Sequence, residues 1–296
     1  MAGRMADSIA AKVTERPGRV RRPRHWLALF GRAAKRMSDE DGFVTAGHLS
    51  FTALLALFPF LIFLTALASL LGTQDDLQRI VRLMFDSMPH EVAETLEPVV
   101  AEVVVGRRAG FLGFSVLMML WASSSGIEAI RLAFSRAYRV RHFRPFWMRR
   151  LQTFFLVMLS ILLVPAMSVL LVFGPILWNL VTYWVDLGIA YRLVWTVTRY
   201  AVAIAVLFVT LVVLHRWLPN RRQHVRDILP GVIFTVIVLM VAATGFSYYL
   251  ANFANYSVTY GSMASVVIAL MFFYMTSVIL VLGAYVNAVM LGIGRG

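Results

Sequence analysis

Five long stretches of the chain contain no Asp, Glu, Lys or Arg, and they set its architecture. They lie between Asp41 and Asp75, from Ala109 to Ile127, from Leu151 to Val185, from Tyr200 to His215, and from Ile228 to Gly294. The last is 67 residues long. A helix rises about 1.5 Å per residue and crosses the ~30 Å hydrocarbon core of a bilayer in about 20 residues, so this stretch is too long for one crossing. The polar patch Asn252-Phe-Ala-Asn255-Tyr-Ser257 divides it in two. The pattern predicts an all-α, polytopic membrane protein with six transmembrane helices, at about 46–71, 110–130, 151–174, 193–214, 231–251 and 263–290.

Composition agrees with the pattern. The chain is 60% hydrophobic and 15% charged, whereas soluble domains run at about 45–50% and about 25%. This excludes a disordered chain, a fibrous protein and an ordinary soluble enzyme. The net charge of +13 would suggest nucleic acid in a soluble protein, but its placement gives another reading. The first 36 residues, Glu128–Arg150, His215–Pro230 and Arg295 together hold 22 of the 28 basic residues. With six spans these segments share one side, and Lys and Arg concentrate in the cytoplasm. Both termini are therefore expected inside, and no nucleic-acid partner is expected. Ala66-Leu-Ala68 resembles a signal-peptide cleavage site. However, 48 largely polar residues precede the apolar run, so the first span is expected to be an uncleaved helix. The chain has no cysteine, which excludes disulfides, thiolate metal sites and Cys nucleophiles.

Three segments lie outside the spans. Residues 1–24 are Arg-rich, contain Pro17 and Pro23, and are expected to form a disordered cytoplasmic tail. The membrane domain is expected over 25–291, with 292–296 as a short tail. From His25, Trp26, Leu29, Phe30, Ala33 and Met37 recur at helical spacing, with Arg32, Lys35 and Arg36 between them. Such a basic amphipathic helix suits the cytoplasmic interface, or it packs beneath the bundle. Residues 73–109 form the largest extracytoplasmic piece. They carry two apolar helical stripes and seven acids without the spacing of a calcium loop. Amphipathic helices with a solvated acidic face are expected there.

Polar groups within the spans are the candidate functional residues, because burying charge in hydrocarbon is costly. Glu128 and Arg131 stand three apart at the cytoplasmic end of span two and can pair. Arg199 lies roughly 9 Å inside span four, within reach of snorkelling. Asn252, Asn255 and Tyr260 mark the outer interface, where an asparagine can line an opening. Pro59, Pro165, Gly174-Pro175 and Pro230-Gly231 interrupt or kink the helices. Gly261, Ser265 and Ala269 make a small-residue stripe suited to close helix packing. No phosphate-binding Gly-x-x-x-x-Gly-Lys loop, no His-Glu-x-x-His and no Gly-x-Ser-x-Gly is present. No catalytic residue, metal or cofactor is expected, and the chain is not expected to be an enzyme.

Four stretches together resemble a family. They are Leu49-Ser-Phe-Thr-Ala-Leu-Leu-Ala-Leu-Phe-Pro-Phe-Leu-Ile, Trp121-Ala-Ser-Ser-Ser-Gly-Ile-Glu128 with Ala133-Phe-Ser-Arg-Ala-Tyr138, Arg226-Asp-Ile-Leu-Pro-Gly231, and Tyr260-Gly-Ser-Met-Ala-Ser265 through Gly283-Ala-Tyr-Val-Asn-Ala288. Over roughly residues 25–291 the chain resembles the YihY/BrkB-type bacterial inner-membrane proteins, formerly labelled ribonuclease BN. The resemblance implies a six-helix, multi-pass protein of the bacterial inner (plasma) membrane, tied to envelope biology and virulence, with lipid export one suggested activity. The family's last motif usually reads Gly-Ala-Glu-x-Asn-Ala. Here Tyr285 replaces the acid, and Asn287 joins the candidate residues.

Three functions follow as expectations. The first is transport or flipping of an anionic, amphiphilic lipid, with Arg131, Arg136 and Arg139 holding a phosphate head group; Arg136 and Arg139 share a helical face if their helix continues. The alternative is a non-transporting structural or scaffold membrane protein. A ribonuclease comes last, because the cytoplasmic loops offer only scattered Glu128, Asp227, His142, His215 and His224. Membrane lipids are the expected partners; protein partners and oligomeric state stay open.

Overall fold

The computed structural model describes residues 26–71, 109–140, 145–168, 189–221, 223–253 and 264–293. The expected disordered tail, residues 73–108 of the extracytoplasmic loop and residues 294–296 lie outside them. The described residues form seven helices and no strand: α1 (Trp26–Asp39), α2 (Gly42–Leu71), α3 (Ala109–Ala137), α4 (Phe146–Ser168), α5 (Ile189–Trp217), α6 (Val225–Phe253) and α7 (Ala264–Met290). Three contain segments long and apolar enough to cross a membrane: Leu193–Trp217, Val225–Leu250 and Val266–Met290.

The amphipathic helix α1 packs against the bundle. Leu29, Ala33 and Met37 are spaced four apart and so share one face. All three are buried in a core that includes Ala133, Phe134, Ala284 and Tyr285. Phe30 stacks on Phe234 of α6, with ring centroids 4.7 Å apart, while Arg32 and Lys35 stay exposed. Of the two placements open to this helix, its apolar face takes the one beneath the bundle. The turn into α2 needs a glycine. Asp41 is left-handed, with φ 55°, and a side chain at Gly42 would strike the Met37 side chain and carbonyl.

Helices α2 to α7 alternate in direction, and their polar contacts gather at one end. Arg136 near the end of α3 donates to Thr45 Oγ1 near the start of α2, at 2.8 Å. Arg131 of α3 donates to Thr153 Oγ1 near the start of α4, at 3.1 Å. Gln152 of α4 donates to the carbonyl of Trp217 at the end of α5, at 3.3 Å. Gly231 near the start of α6 donates to Asn287 Oδ1 near the end of α7, at 2.6 Å. The starts of α2, α4 and α6 therefore meet the ends of α3, α5 and α7. Among the described residues, buried side chains at this packed end include Ala46, Leu49, Phe134, Tyr138, Leu156, Leu211, Ile228, Val232, Val281 and the run Ala284–Ala288. Large apolar groups are exposed along the whole bundle, among them Val44, Trp147 and Leu151 at the packed end and Tyr191, Val194 and Val241 away from it.

Each expected span falls on one of α2 to α7, although residues 169–174 of the third and residue 263 of the sixth lie outside the described residues. At the packed end the helices run past the expected limits. α3 continues to Ala137, and α4 and α6 begin at Phe146 and Val225. A charged residue ends an apolar run without ending a helix, because these side chains find polar partners at the packed end.

A close helix crossing joins α6 and α7. A methyl at Gly231 would collide with the Gly283 carbonyl and the Asn287 carboxamide; one at Gly283 would collide with Thr235 Oγ1. The close approach thus falls at Gly283. Of the stripe read from sequence, Gly261 and the Ser265 side chain lie outside the described residues. Gly283→Ala is expected to cost about 1–3 kcal/mol by overpacking, measured as a lower melting temperature in detergent. A methyl added at Gly245 would meet nothing within 4 Å, so Gly245→Ala in the same helix pair should hold stability or raise it by up to about 1 kcal/mol.

Candidate functional site

The polar groups of the packed end form three clusters. The first is built on Arg36, in the last turn of α1. The final carbonyls of a helix lack intrahelical partners and carry the negative end of the helix dipole. The Arg36 guanidinium satisfies two helix ends at once: Nη2 donates to Ala137 O at 3.0 Å and Nη1 to Ile293 O at 2.6 Å. Its Nε donates to Glu40 Oε1 at 3.0 Å, and the guanidinium faces the ring of buried Tyr285, 5.6 Å from its centroid. At the position where the resemblance leads one to expect an acid, Arg36 meets an aromatic face, and its carboxylate partner is Glu40.

Both carbonyl-donating ends are tightly wound. Beyond α7, Ile293 N–H donates to Ala288 O and Gly292 N–H to Val289 O, with Gly292 at φ 69°. Beyond α3, Val140 N–H donates to Ser135 O and Arg139 N–H to Arg136 O, with Arg139 at φ 50°. This motif favours glycine at the left-handed position. Arg139 occupies it and donates to Glu40 Oε1 through Nη2 at 2.7 Å and Nε at 3.1 Å. Burial pushes the Glu40 carboxyl pKa up, but hydrogen bonds and charge from Arg36 and Arg139 outweigh this and hold it below the ordinary carboxylate range.

The second cluster joins α3 and α4. Arg131, only 3% exposed, pairs with half-exposed Glu128. Its Nη2 donates to Thr153 Oγ1 and, at 3.4 Å, to the Arg149 carbonyl. Arg149 Nη1 reaches Glu128 Oε1, also at 3.4 Å. The pair read from sequence is present, and it also ties two helices together.

The third is the fully buried Asn287. Its Oδ1 accepts from Gly231 N–H, and its Nδ2 donates to the hydroxyl of buried Tyr138 at 3.3 Å. Pro230 lacks an N–H and interrupts the regular bonding of α6, so a side-chain acceptor beside it secures the crossing.

The remaining candidates lie apart. Arg199 is buried on α5 with its guanidinium 5.0 Å from the Tyr200 ring centroid. The Asn252 side chain, Asn255 and Tyr260 lie outside the described residues. The common face expected for Arg136 and Arg139 required α3 to continue, but it ends at Ala137. The left-handed Arg139 turns to Glu40, Arg136 turns to Thr45 and Arg131 to α4, so the three arginines engage separate partners. Sequence reasoning passed over Arg36 as an anchor, and also Glu40, Thr45 and Thr153, and it placed His215 in a cytoplasmic loop. A basic residue in a last helical turn was a signal for Arg36. His215 instead lies buried in the last turn of α5, bonded from Nδ1 to Leu211 O at 2.9 Å and packed on Phe134 at 4.4 Å between ring centroids.

Apolar helices of membrane-crossing length, joined at one end by arginine-centred clusters, define an all-helical membrane protein. The chain belongs to the virulence factor BrkB family, whose profile matches residues 33–292. It is similar to the ribonuclease-like protein YfkH of Bacillus subtilis (strain 168), 29% identical over 255 residues that cover 86% of this chain and 92% of that one. It is also similar to a UPF0761 membrane protein of Alteromonas mediterranea, 25% identical over 86% of this chain and 85% of the relative. A UPF0761 membrane protein of Pseudoalteromonas atlantica is 25% identical, over 88% and 86% respectively. No solved structure matches.

Two outcomes check the geometry. Asn287→Ala leaves a buried N–H and a buried hydroxyl without this partner and should cost about 1–3 kcal/mol in thermal unfolding. A carboxylate whose pKa is lowered by folding stabilises the folded state above its unfolded pKa, and this is lost as pH falls through the folded value. The melting-temperature gap between wild type and Glu40→Gln should therefore be full at neutral pH. It should close once the pH drops below the ordinary carboxylate range. A gap independent of pH would show that the Glu40 charge contributes nothing.

Proposed function

We propose that the chain is a six-span protein of the bacterial inner membrane, with both termini in the cytoplasm, that moves an anionic amphiphilic lipid between leaflets without catalysing a chemical reaction. One observation carries this reading: among the described residues, arginines outnumber acids where the starts of α2, α4 and α6 meet the ends of α3, α5 and α7. Cationic groups at that end suit an anionic head group, and the apolar faces that α5, α6 and α7 expose suit contact with its chains. The alternating helix directions support six crossings, and the bias of basic residues supports a cytoplasmic packed end.

A different observation favours the non-transporting scaffold: Arg36, Arg131, Arg136 and Arg139 all engage protein groups. The ribonuclease-like name belongs to the Bacillus relative. Among the described residues no three His, Cys, Asp or Glu side chains group to hold a metal ion, and nuclease activity forms no part of this proposal.

Purified protein reconstituted into liposomes should speed leaflet exchange of a labelled anionic phospholipid more than that of a zwitterionic one. No acceleration of either at any protein-to-lipid ratio would leave the scaffold reading. Single cysteines test the orientation cleanly in a chain that has none. With the outer membrane permeabilised, Glu97→Cys should react with an impermeant thiol reagent and Arg221→Cys should not; the reverse pattern inverts the topology.

A further inference from the structure

We propose that the Glu40–Arg139 ion pair is the latch of a cytoplasmic gate, made while the packed end is closed and parted when it opens. The proposal rests on the orientation and transport reading given above. Three observations carry it. First, the contact is accessible. The Arg139 side chain is 51% exposed and that of Glu40 20%, whereas Arg36, which caps two helix ends, is only 13% exposed. Solvent and salt reach the first contact and weaken it, while the second stays sheltered.

Second, backbone strain coincides with the pair. Among the described residues, Asp41 and Arg139 alone are non-glycine residues with positive φ, at 55° and 50°. One adjoins Glu40 and the other is its partner. Left-handed conformations of such residues persist only where surrounding contacts hold them. Here backbone hydrogen bonds wind each turn, and a contact of 2.7 Å ties the two turns to each other. Third, the pair bridges the α1–α2 turn and the end of α3, 99 residues apart in sequence. On the same two helices Thr45, Ser50 and Ser135 bury their small hydroxyls, side chains that tolerate water when helices separate.

The test uses the full-length chain in inverted membrane vesicles, whose cytoplasmic face is outermost. A single reporter, Ser50→Cys, is attacked by a charged, membrane-impermeant methanethiosulfonate. Cysteine is nearly isosteric with serine, and position 50 is buried. Adding Glu40→Gln, which removes the Arg36 pair along with the latch, should speed labelling at least about fivefold, the shift in open population that loss of one exposed ion pair allows. Arg139→Gly removes the same latch while supplying the residue its backbone prefers. It should melt no lower than the parent and still label about fivefold faster. Added salt should accelerate the parent and leave Arg139→Gly unchanged. Parental labelling rates in a fully folded Arg139→Gly protein overturn the latch. Lipid movement in the same preparations separates the two proposals. Unchanged labelling with normal lipid movement overturns the latch alone; faster labelling with no lipid movement in any variant keeps the gate and overturns transport.

Discussion

The packed end depends on one guanidinium meeting two helix termini. Helix ends leave carbonyls without partners, and where packing shuts out water a side chain must supply them. Arg36 sends one nitrogen to Ala137 O, another to Ile293 O and a third to Glu40. Its planar, divergent donors suit three acceptors, which the compact ammonium of lysine would serve poorly. Around this point the apolar face of α1, the end of α3 and the end of α7 become one core. Asn287, buried in that core, then fixes α6 against α7.

The clusters differ in how firmly they hold. Arg131 is buried and its partners include a hydroxyl and a backbone carbonyl as well as Glu128. Removing such a group leaves buried acceptors unpaired, which typically costs more than an exposed ion pair contributes. The carboxamide of Asn287 is fully enclosed. The Glu40–Arg139 contact is reached by solvent from the side of half-exposed Arg139. The same end of the bundle thus combines fixed joints with one contact that water can compete for.

The helices were legible in sequence because charge-free runs and the helical stripe of α1 are long, regular signals. Leu29, Ala33 and Met37 all lie on the buried face that their spacing indicates. The Glu128–Arg131 pair was legible for the same reason, being local to one helix turn. What stayed hidden is contact between elements distant in sequence. Nothing near Glu40 indicates that it meets Arg139, and the spacing of Arg136 and Arg139 suggested a continuous helix where a left-handed residue ends it. Tyr285 in place of an acid marked a departure, but only the fold brings that ring beneath Arg36. Asn287 could be picked out but not interpreted, since its partners Gly231 and Tyr138 come from two other parts of the chain.

Arg36 and Ile293 are 257 residues apart, and this separation bears on biosynthesis. A ribosome delivers α1 long before α7, so for most of synthesis one donor of Arg36 has no carbonyl to meet. Until the last helix arrives, α1 must wait with its apolar face against lipid head groups or against an incomplete bundle. Closure of the core is then a late event that joins the first helix to the last. A nascent chain stalled before α7 should expose α1 to protease, and completion of the chain should protect it.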